Sequence, residues 1–375
     1  MTERSIISLL ETIILDAWSA NASDVHIDPT PTGVEVRVRV NGSLLLSRTL
    51  PKNRHNELIA RLKILASLRT DEHFTPQDGR FTFFANTART LDIRISLIPT
   101  YHGENAVLRL LSLHYEKQTL SSLGMNRSDV ERIDAVLSES HGLLLATGPT
   151  GSGKTTTLYA LMHAIAAIGH QSRSVVSIED PIEHAVPGVR QVQIERRSGF
   201  TFLQGLRAVL RQDPDVIIVG EIRDAETAAF AVHAALTGHL VLSTMHALNV
   251  PSVVPRLRTL SVDPYLISST LRLAIAQRLV RTVCTACRSI QPIEAAAHSR
   301  FASKYKDGAE VPGTQYVGIG CESCHGTGYA GRTGMFDVVP FALGRETSSG
   351  LMEDGLRKVG EGTTTFDELL RIGHV

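Results

Sequence analysis

The sequence contains one stretch whose residue types and spacing could bind the phosphates of a nucleotide. Glycines let consecutive backbone N–H groups turn towards an anion, and the start of a helix adds positive potential. The pattern G-x-x-x-x-G-K-[ST] predicts a lysine on the β and γ phosphates and a hydroxyl on Mg²⁺. A flexible glycine turn is the alternative, but an apolar run precedes the motif and a helical pattern follows it. The predicted ATP-binding residues are Gly148, Pro149, Thr150, Gly151, Ser152, Gly153, Lys154, Thr155 and Thr156.

Acidic residues follow two apolar runs downstream of this motif. Hydrolysis would need an acid near the metal and a group that orients water. "VIIVGEIRD" is predicted to be a buried strand that ends at Glu221, whereas the commonest pattern has Asp directly after the apolar run. "SVVSIEDPIEH" is a second such strand, followed by Glu179, Asp180 and Glu183. Either cluster could instead cap a neighbouring helix.

A histidine follows a third apolar run. "TGHLVLSTMHALN" has His239 before the predicted strand and His246 after it. In open α/β folds, ligands bind where the strands leave the sheet at their carboxyl ends. His246 is therefore a candidate sensor of the γ phosphate, the alternative being an ordinary surface or core histidine.

The four cysteines form two C-x-x-C pairs, Cys284 with Cys287 and Cys321 with Cys324. Two such pairs can close on one tetrahedral metal ion, and zinc is the expected metal. Cys321-Glu-Ser-Cys324-His325 also matches the c-haem attachment motif, but that chemistry occurs outside the cytosol and leaves the other pair unexplained. Bare thiols are the third possibility. A zinc ion is expected to hold a loop-rich subdomain with little apolar core of its own.

Composition limits the function classes. The chain has 375 residues with 38 basic and 38 acidic side chains, which gives no overall attraction to nucleic acid. The apolar segment from Ile6 to Trp18 contains Glu11 and Asp16 and is too short to span a bilayer. It lacks the features of a signal peptide. A cytosolic protein of two or three domains is predicted.

The elements that must position these residues fall into two regions. The first has helical spacing in Ile6 to Ala17, then "VEVRVRV" and an Asn41-Gly42 turn, and further strands such as "LDIRISL". Ser128 and Glu131 suggest a capping box that starts a helix, after which apolar strands alternate with helices, the pattern of a parallel sheet. The predicted regions are an α+β domain over 1–111, a linker over 112–127 and an α/β domain over 128–375. The last includes a tetracysteine subdomain, 281–335, and a helical part, 336–375.

Together, these motifs resemble the ATPases of type II secretion and type IV pilus assembly. The resemblance covers nearly the whole chain and rests on "ASDVHIDP", "PQDGRF", "GPTGSGKTTTLYA", "IEDPIE", "GLRAVLRQDPDVIIVGEIRDAETA", "TGHLVLSTMH", "AQRLVRTVC" and "CESCHGTGYAGRTGMFDV". It implies an α/β, RecA-like P-loop NTPase domain with a parallel sheet. A small PAS-like α+β domain precedes it, and it carries a tetracysteine zinc subdomain.

The resemblance also implies roles for individual residues. Lys154 and Thr155 would bind phosphate and Mg²⁺, and Glu221 would be the Walker B acid. Glu183 is the candidate for activating water, ahead of Glu179. His246 would sense the γ phosphate. Arginines of the first domain would reach a nucleotide bound between the domains, and the matching positions are Arg94 and Arg109.

Strand alternation supports Arg94, because Asp92, Arg94 and Ser96 fall opposite the apolar side chains of "LDIRISL". A solvated strand face is the alternative. Two departures from the family stand out. His246 is followed by Ala247 and Leu248 where the family has H-T-N, and the extra N-terminal docking domain of many members is not found.

The expected function is a hexameric ATPase motor that drives pilin or pseudopilin assembly at the cytoplasmic face of the inner membrane. A homohexamer, recruited by an inner-membrane platform protein, would use ATP, Mg²⁺ and Zn²⁺ and would not bind nucleic acid. Three alternatives remain: a retraction motor of the same superfamily, a RecA-type DNA-dependent ATPase and a non-catalytic nucleotide-binding regulator. The cysteines disfavour retraction. Arg196-Arg197 and the arginines from Arg278 to Arg288 are too sparse for a DNA channel.

Overall fold

A computed structural model describes residues 5–86, 89–112, 118–168, 173–195, 199–304, 311–341 and 350–372. The chain divides into two compact units, residues 1–116 and 117–375. Part of the predicted linker, 113–117, and the pair Arg196-Arg197 lie outside the described residues. Within the described residues no helix is long and apolar enough to cross a bilayer.

The first unit is a six-stranded antiparallel sheet with two helices on one face. Its strands lie in the order β3-β2-β1-β6-β5-β4. Its elements are α1 (Ile6–Ser19), β1 (Ala22–Pro29), β2 (Gly33–Val40), β3 (Ser43–Pro51), α2 (Arg54–Leu65), β4 (Gln77–Asn86), β5 (Arg89–Thr100) and β6 (Gly103–Ser112).

Alternation in the strands decides which face of this sheet is covered. Leu91, Ile93, Ile95 and Leu97 are buried in one core with the apolar sides of α1 and α2, which confirms the alternation predicted for "LDIRISL". The opposite face carries charged side chains from β1, β2, β5 and β6. Because successive side chains of a strand point to opposite faces, one apolar and one charged surface result.

The second unit is a seven-stranded sheet in the order β15-β12-β7-β11-β10-β8-β9. Its strands are β7 (Gly142–Thr147), β8 (Val175–Glu179), β9 (Arg190–Gln193), β10 (Val216–Ile222), β11 (Leu240–Met245), β12 (Leu271–Val283) and β15 (Tyr329–Pro340). All neighbours are parallel except β15, which runs antiparallel to β12 at one edge. Separate apolar cores lie on the two faces, so the predicted parallel sheet covered on both sides is confirmed.

The helices of the second unit begin with α3 (Arg127–Leu137). Asn126, not Ser128, caps it: the Asn126 Oδ1 accepts the Asp129 N–H at 2.8 Å. The predicted capping box is wrong because Asn126 is extended and its short side chain already reaches that N–H. The other helices are α4 (Lys154–Ile168), α5 (Phe202–Val209), α6 (Ala225–Leu236), α7 (Val253–Thr259), α8 (Pro264–Thr270), α9 (Ala295–Lys304), α10 (Leu351–Gly360) and α11 (Phe366–Ile372).

The cysteine-bearing region has a small sheet of its own, formed by β13 (Arg288–Pro292) and β14 (Thr314–Gly318). Its apolar side chains do not stand alone. Phe301 of α9 packs on Phe366 of α11, with ring centroids 5.2 Å apart, in a cluster that includes residues of α10. The region therefore shares an apolar core with the C-terminal helices.

Candidate nucleotide site and metal centre

The glycine-rich segment joins the end of β7 at Thr147 to the start of α4 at Lys154. Gly148, Gly151 and Gly153 have φ values of 154°, 77° and 89°, which side chains other than glycine's rarely adopt. A Cβ on Gly148 would lie 2.5 Å from the Ser152 Oγ and 2.6 Å from the Gln277 carbonyl oxygen. The glycine spacing therefore produces a tight backbone loop at a helix N-terminus, the geometry that binds phosphate.

Lys154 lies over this loop and is nearly buried. Its Nζ donates to the carbonyl oxygens of Gly148 at 2.9 Å and Pro149 at 3.0 Å. Burial lowers the pKa of Lys154. The negative charge of Glu221 opposes this effect but does not cancel it, so the pKa lies below its ordinary value. The carboxylate at the end of β10 and the ammonium group of α4 thus act on each other electrostatically. Thr155, in the first turn of α4, is exposed.

The carboxylate of Glu221 contacts two side chains, Arg223 and His246. It forms an ion pair with Arg223, and the His246 Nε2 lies 3.4 Å from its Oε2. Burial raises the pKa of Glu221, but hydrogen bonds and charge from Arg223 and His246 outweigh this and leave the pKa below its ordinary value. Glu221 is therefore an anion at neutral pH, which suits it to a divalent cation. His246 thus lies against Glu221, and the charge of Glu221 acts on Lys154.

Backbone contacts anchor the segment after His246. The Thr147 Oγ1 donates to the Ala247 carbonyl and accepts the Ala247 N–H, both at 2.9 Å. Arg278 donates to the Leu248 carbonyl at 2.8 Å. The side chains of Ala247 and Leu248 make none of these bonds. The departure from H-T-N therefore leaves the anchoring of the loop intact.

Gln277 of β12 is a residue of this site that the sequence analysis did not single out. It is buried, and its Nε2 donates to the Ser152 carbonyl at 2.8 Å. Its Oε1 and the Ser152 Oγ are both buried without a hydrogen-bond partner among the described residues. The sequence did contain a signal for Gln277, since the polar pair Gln277-Arg278 interrupts the apolar run "LRLAIAQRLV". Buried polar side chains require hydrogen-bond partners, so such a pair indicates a polar contact in the core.

Glu179, the last residue of β8, and Glu183, in the loop after it, differ in environment. Glu179 is buried, and its carboxylate accepts hydrogen bonds from Tyr159, from the Ser177 Oγ at 2.6 Å and from the Gln191 Nε2 at 3.0 Å. Glu183 lies in the loop beyond β8 and is exposed. Glu179 is thus occupied by protein donors, whereas Glu183 is accessible to a small ligand or water.

Arg94 and Arg109 lie in the first unit, side by side on β5 and β6. Strand register forms a row across four strands, in which Asp24 pairs with Arg109, Arg109 with Arg94, and Arg94 with Arg80. The Arg109 Nε donates to the Asp24 Oδ1 at 3.0 Å, and the Arg109 side chain is 64% exposed. Arg109, Arg94 and Arg80 therefore form a row of positive side chains on the charged face of the sheet, hereafter the arginine row, with Asp24 at its end.

The four cysteines converge on one point. Their Sγ atoms all lie within 4.8 Å of one another, and three of the pairs are 3.9, 3.8 and 3.7 Å apart. Tetrahedral zinc with Zn–S bonds of about 2.3 Å requires sulfur atoms about 3.8 Å apart. The donor set and its spacing therefore fit a tetrahedral thiolate-bound metal. A haem attached through Cys321 and Cys324 would not explain the convergence of all four.

Backbone N–H groups donate hydrogen bonds to a sulfur atom of this cluster. The N–H groups of Cys321 and Gly328 both donate to the Cys324 Sγ at 3.2 Å. Burial raises the pKa of Cys324, but these N–H donors outweigh it and lower the pKa below its ordinary value. The Cys284 N–H donates to the Gly328 carbonyl at 2.9 Å, which joins the two cysteine pairs. These two N–H groups thus favour the thiolate form at Cys324, the form that binds metal.

Comparison with known proteins agrees with these features. The family model described as "Type II/IV secretion system protein" matches residues 1–371. The chain belongs to this family. It is 40% identical over 387 residues to the type II secretion system ATPase E of Vibrio cholerae, covering 98% of this chain and 75% of that protein. It is 38% identical over 391 residues to the type IV pilus assembly ATPase PilB of Thermus thermophilus, covering 99% of this chain and 43% of that protein.

Among solved structures, the ATPase DotB of Legionella pneumophila has a similar fold. Its TM-score is 0.72 at 22% identity, and the match covers 100% of this chain and 98% of that chain. This match shows that the two chains share a fold. The family match and the 40% identity to a type II secretion system ATPase show that the chain is an ATPase. The resemblance stated from the motifs is confirmed.

Proposed function

We propose that this chain hydrolyses ATP with Mg²⁺ and, as a homohexamer, drives the assembly of pilin or pseudopilin subunits in type IV pilus biogenesis or type II secretion. The observation that carries the proposal is the Lys154–Glu221–His246 grouping at the phosphate loop. Lys154 would bind phosphate oxygens, Thr155 and Glu221 would hold Mg²⁺, and His246 would contact the γ phosphate. Magnesium supplies charge neutralisation at the transferring phosphoryl group.

One glutamate and two arginines would act during turnover. Glu183 would orient and deprotonate the attacking water, consistent with its exposure beyond β8. Arg94 and Arg109 would supply positive charge to the transition state. We place the protein in the cytoplasm, held at the inner membrane through a platform protein of the pilus or secretion apparatus. This placement rests on the family alone.

The enzymatic proposal is tested by phosphate release from ATP with and without Mg²⁺. We expect activity that requires Mg²⁺ and rises with protein concentration as subunits assemble. Lys154→Ala and Glu221→Ala should each lower turnover by about 100-fold or more. Activity that survives both substitutions, or that is independent of Mg²⁺, would contradict the proposal. Stimulation by DNA would instead favour the RecA-type alternative.

The biological role is tested by deleting the gene and scoring surface pili and secreted proteins separately. Loss of either, restored by the intact chain but not by the Lys154→Ala variant, would support an assembly motor. Hyperpiliated cells would identify a retraction motor and contradict the proposal.

We propose that Cys284, Cys287, Cys321 and Cys324 hold Zn²⁺, which would stabilise the two cysteine pairs against each other. Metal analysis of the purified protein should give one zinc per chain. A chelator should lower the melting temperature by several degrees, since about 1 kcal/mol corresponds to roughly 2–4 °C in a domain of this size. An unchanged melting temperature after complete zinc removal would contradict an integral structural role.

A further inference from the structure

Tyr159 lies on α4, five residues after Lys154, the first residue of that helix. Its side chain is buried, and its ring lies 3.9 Å from that of His184, centroid to centroid. Its hydroxyl donates to Glu179 and accepts the Glu183 N–H at 2.9 Å. One hydroxyl group thus connects the helix of the phosphate loop with the backbone of Glu183.

The loop beyond β8 is held at further points by glutamines of β9. The Gln191 Oε1 accepts the Val186 N–H at 2.7 Å, and the Gln191 Nε2 donates to the His184 carbonyl at 3.0 Å. The Gln193 Oε1 accepts the Ile182 N–H at 3.3 Å. The backbone on both sides of Glu183 is therefore fixed by side chains, while the carboxylate of Glu183 itself stays exposed.

Glu179 sets the orientation of the Tyr159 hydroxyl group. As an acceptor of three hydrogen bonds it fixes which way the Tyr159 hydroxyl proton points. The oxygen lone pairs of Tyr159 are then directed to the Glu183 N–H. Burial and the Glu179 carboxylate both raise the pKa of Tyr159, so the phenol keeps its proton throughout the physiological pH range.

The adjacent histidine adds no charge at neutral pH. Burial, together with the neighbouring His163, lowers the pKa of His184 to about 4. The ring of His184 therefore packs on Tyr159 as a neutral group. The polar connection from α4 to Glu183 depends on the phenol and on Glu179.

We infer that Tyr159, oriented by Glu179, is a positioning residue for ATP hydrolysis that holds the backbone of Glu183 at a fixed distance from the phosphate loop. The inference rests on the proposed role of Glu183. Tyr159 does not touch the reacting atoms in this scheme. It couples the helix that receives the phosphates to the residue that activates water.

The test compares Tyr159→Phe with wild type in the full chain. Phenylalanine keeps the ring packing and removes the hydroxyl. We expect kcat to fall about 10- to 100-fold, the range that a small misplacement of a catalytic group produces. The dissociation constant of a non-hydrolysable ATP analogue should stay within about twofold, because Lys154 and the loop glycines are untouched. Tyr265→Phe, at a tyrosine that is 74% exposed, is the matched control and should behave as wild type.

A double-mutant cycle separates positioning from a general loss of stability. If Tyr159 acts through Glu183, adding Tyr159→Phe to Glu183→Gln should lower kcat no further. A multiplied loss in the double variant, an unchanged kcat in Tyr159→Phe, or an equal loss of nucleotide affinity would overturn the inference. Wild-type kcat in Glu183→Gln would overturn the proposed role of Glu183 and the inference with it. If Glu183→Gln is inactive while Tyr159→Phe is fully active, the inference about Tyr159 is overturned and the proposed role of Glu183 stands.

Discussion

The phosphate loop of the second unit and the arginine row of the first are built in different ways. The loop is made of backbone: three glycines with positive φ, a carbonyl pair on Lys154 and the Gln277 contact to Ser152. The arginine row is made of side chains placed by strand register alone, and Arg109 is largely exposed. The loop conformation is therefore set by backbone contacts, whereas the row consists of charged side chains, two of which pair with carboxylates: Arg109 with Asp24 and Arg80 with Asp92. This difference suggests that the loop governs nucleotide affinity and the row governs turnover.

Removing an arginine from the row gives the largest expected effect. Arg94→Ala or Arg109→Ala should lower kcat by about 10³ to 10⁵, the range for an arginine that stabilises the transition state of phosphoryl transfer. Affinity for ATP should change little, as measured by equilibrium binding. Arg69→Ala serves as the control, because Arg69 is an exposed arginine of the same unit that pairs with Asp71. Equal losses of binding and turnover would remove the distinction between loop and row.

Adding a side chain to the phosphate loop should lower the affinity for ATP. In Gly148→Ala the new Cβ meets the Ser152 Oγ and the Gln277 carbonyl, and the backbone conformation is strained at the same time. A cost of about 1–3 kcal/mol corresponds to roughly a 10- to 100-fold loss of ATP affinity. Gly313→Ala, where the added Cβ meets open space, should bind ATP normally. Wild-type affinity in Gly148→Ala would show that the loop tolerates rearrangement.

Gln277→Leu tests the support of the loop from β12. The substitution keeps the volume and leaves the Ser152 carbonyl without its donor, at a cost of about 1–3 kcal/mol. We expect KM for ATP to rise about tenfold with a smaller change in kcat. Gln291→Leu, at an exposed glutamine of β13, is the control. A fall in kcat at constant KM would assign Gln277 to turnover instead.

Asp24→Asn should have the smallest effect, on stability rather than binding. Burial raises the pKa of Asp24, but Ser23 and Arg109 outweigh it and the pKa is lowered in the folded protein. Its contribution is thus present above the ordinary value of 3.8 and is lost as pH falls through the lower folded value. Asp24→Asn should cost about 0.2–1 kcal/mol at neutral pH and nothing in strong acid, measured by thermal unfolding. A difference that grows on acidification would contradict this assignment.

Sequence alone predicted the parts of the site that depend on local chemistry. The phosphate loop, the strand that delivers Glu221 and the four cysteines follow from spacing within short segments. The environments of Glu179 and Tyr159 did not, because they depend on contacts between α4, β8 and β9 that no local pattern encodes. The strand Ala22–Pro29 was also not predicted as a strand. The cap of α3 was assigned to the wrong residue, since several short polar side chains compete there.

Strand β12 loses one of its two partner strands at Gln277. Its last pair with β7 joins Ala276 to Thr147, whereas its pairing with β15 continues to Val283, next to Cys284. Beyond Ala276, β12 and β15 continue as a two-stranded ribbon, and Val280 and Met335 of this ribbon pack in one apolar core with α10 and α11. One strand therefore joins the cysteine-bearing region to the residue whose side-chain amide donates to the Ser152 carbonyl of the phosphate loop.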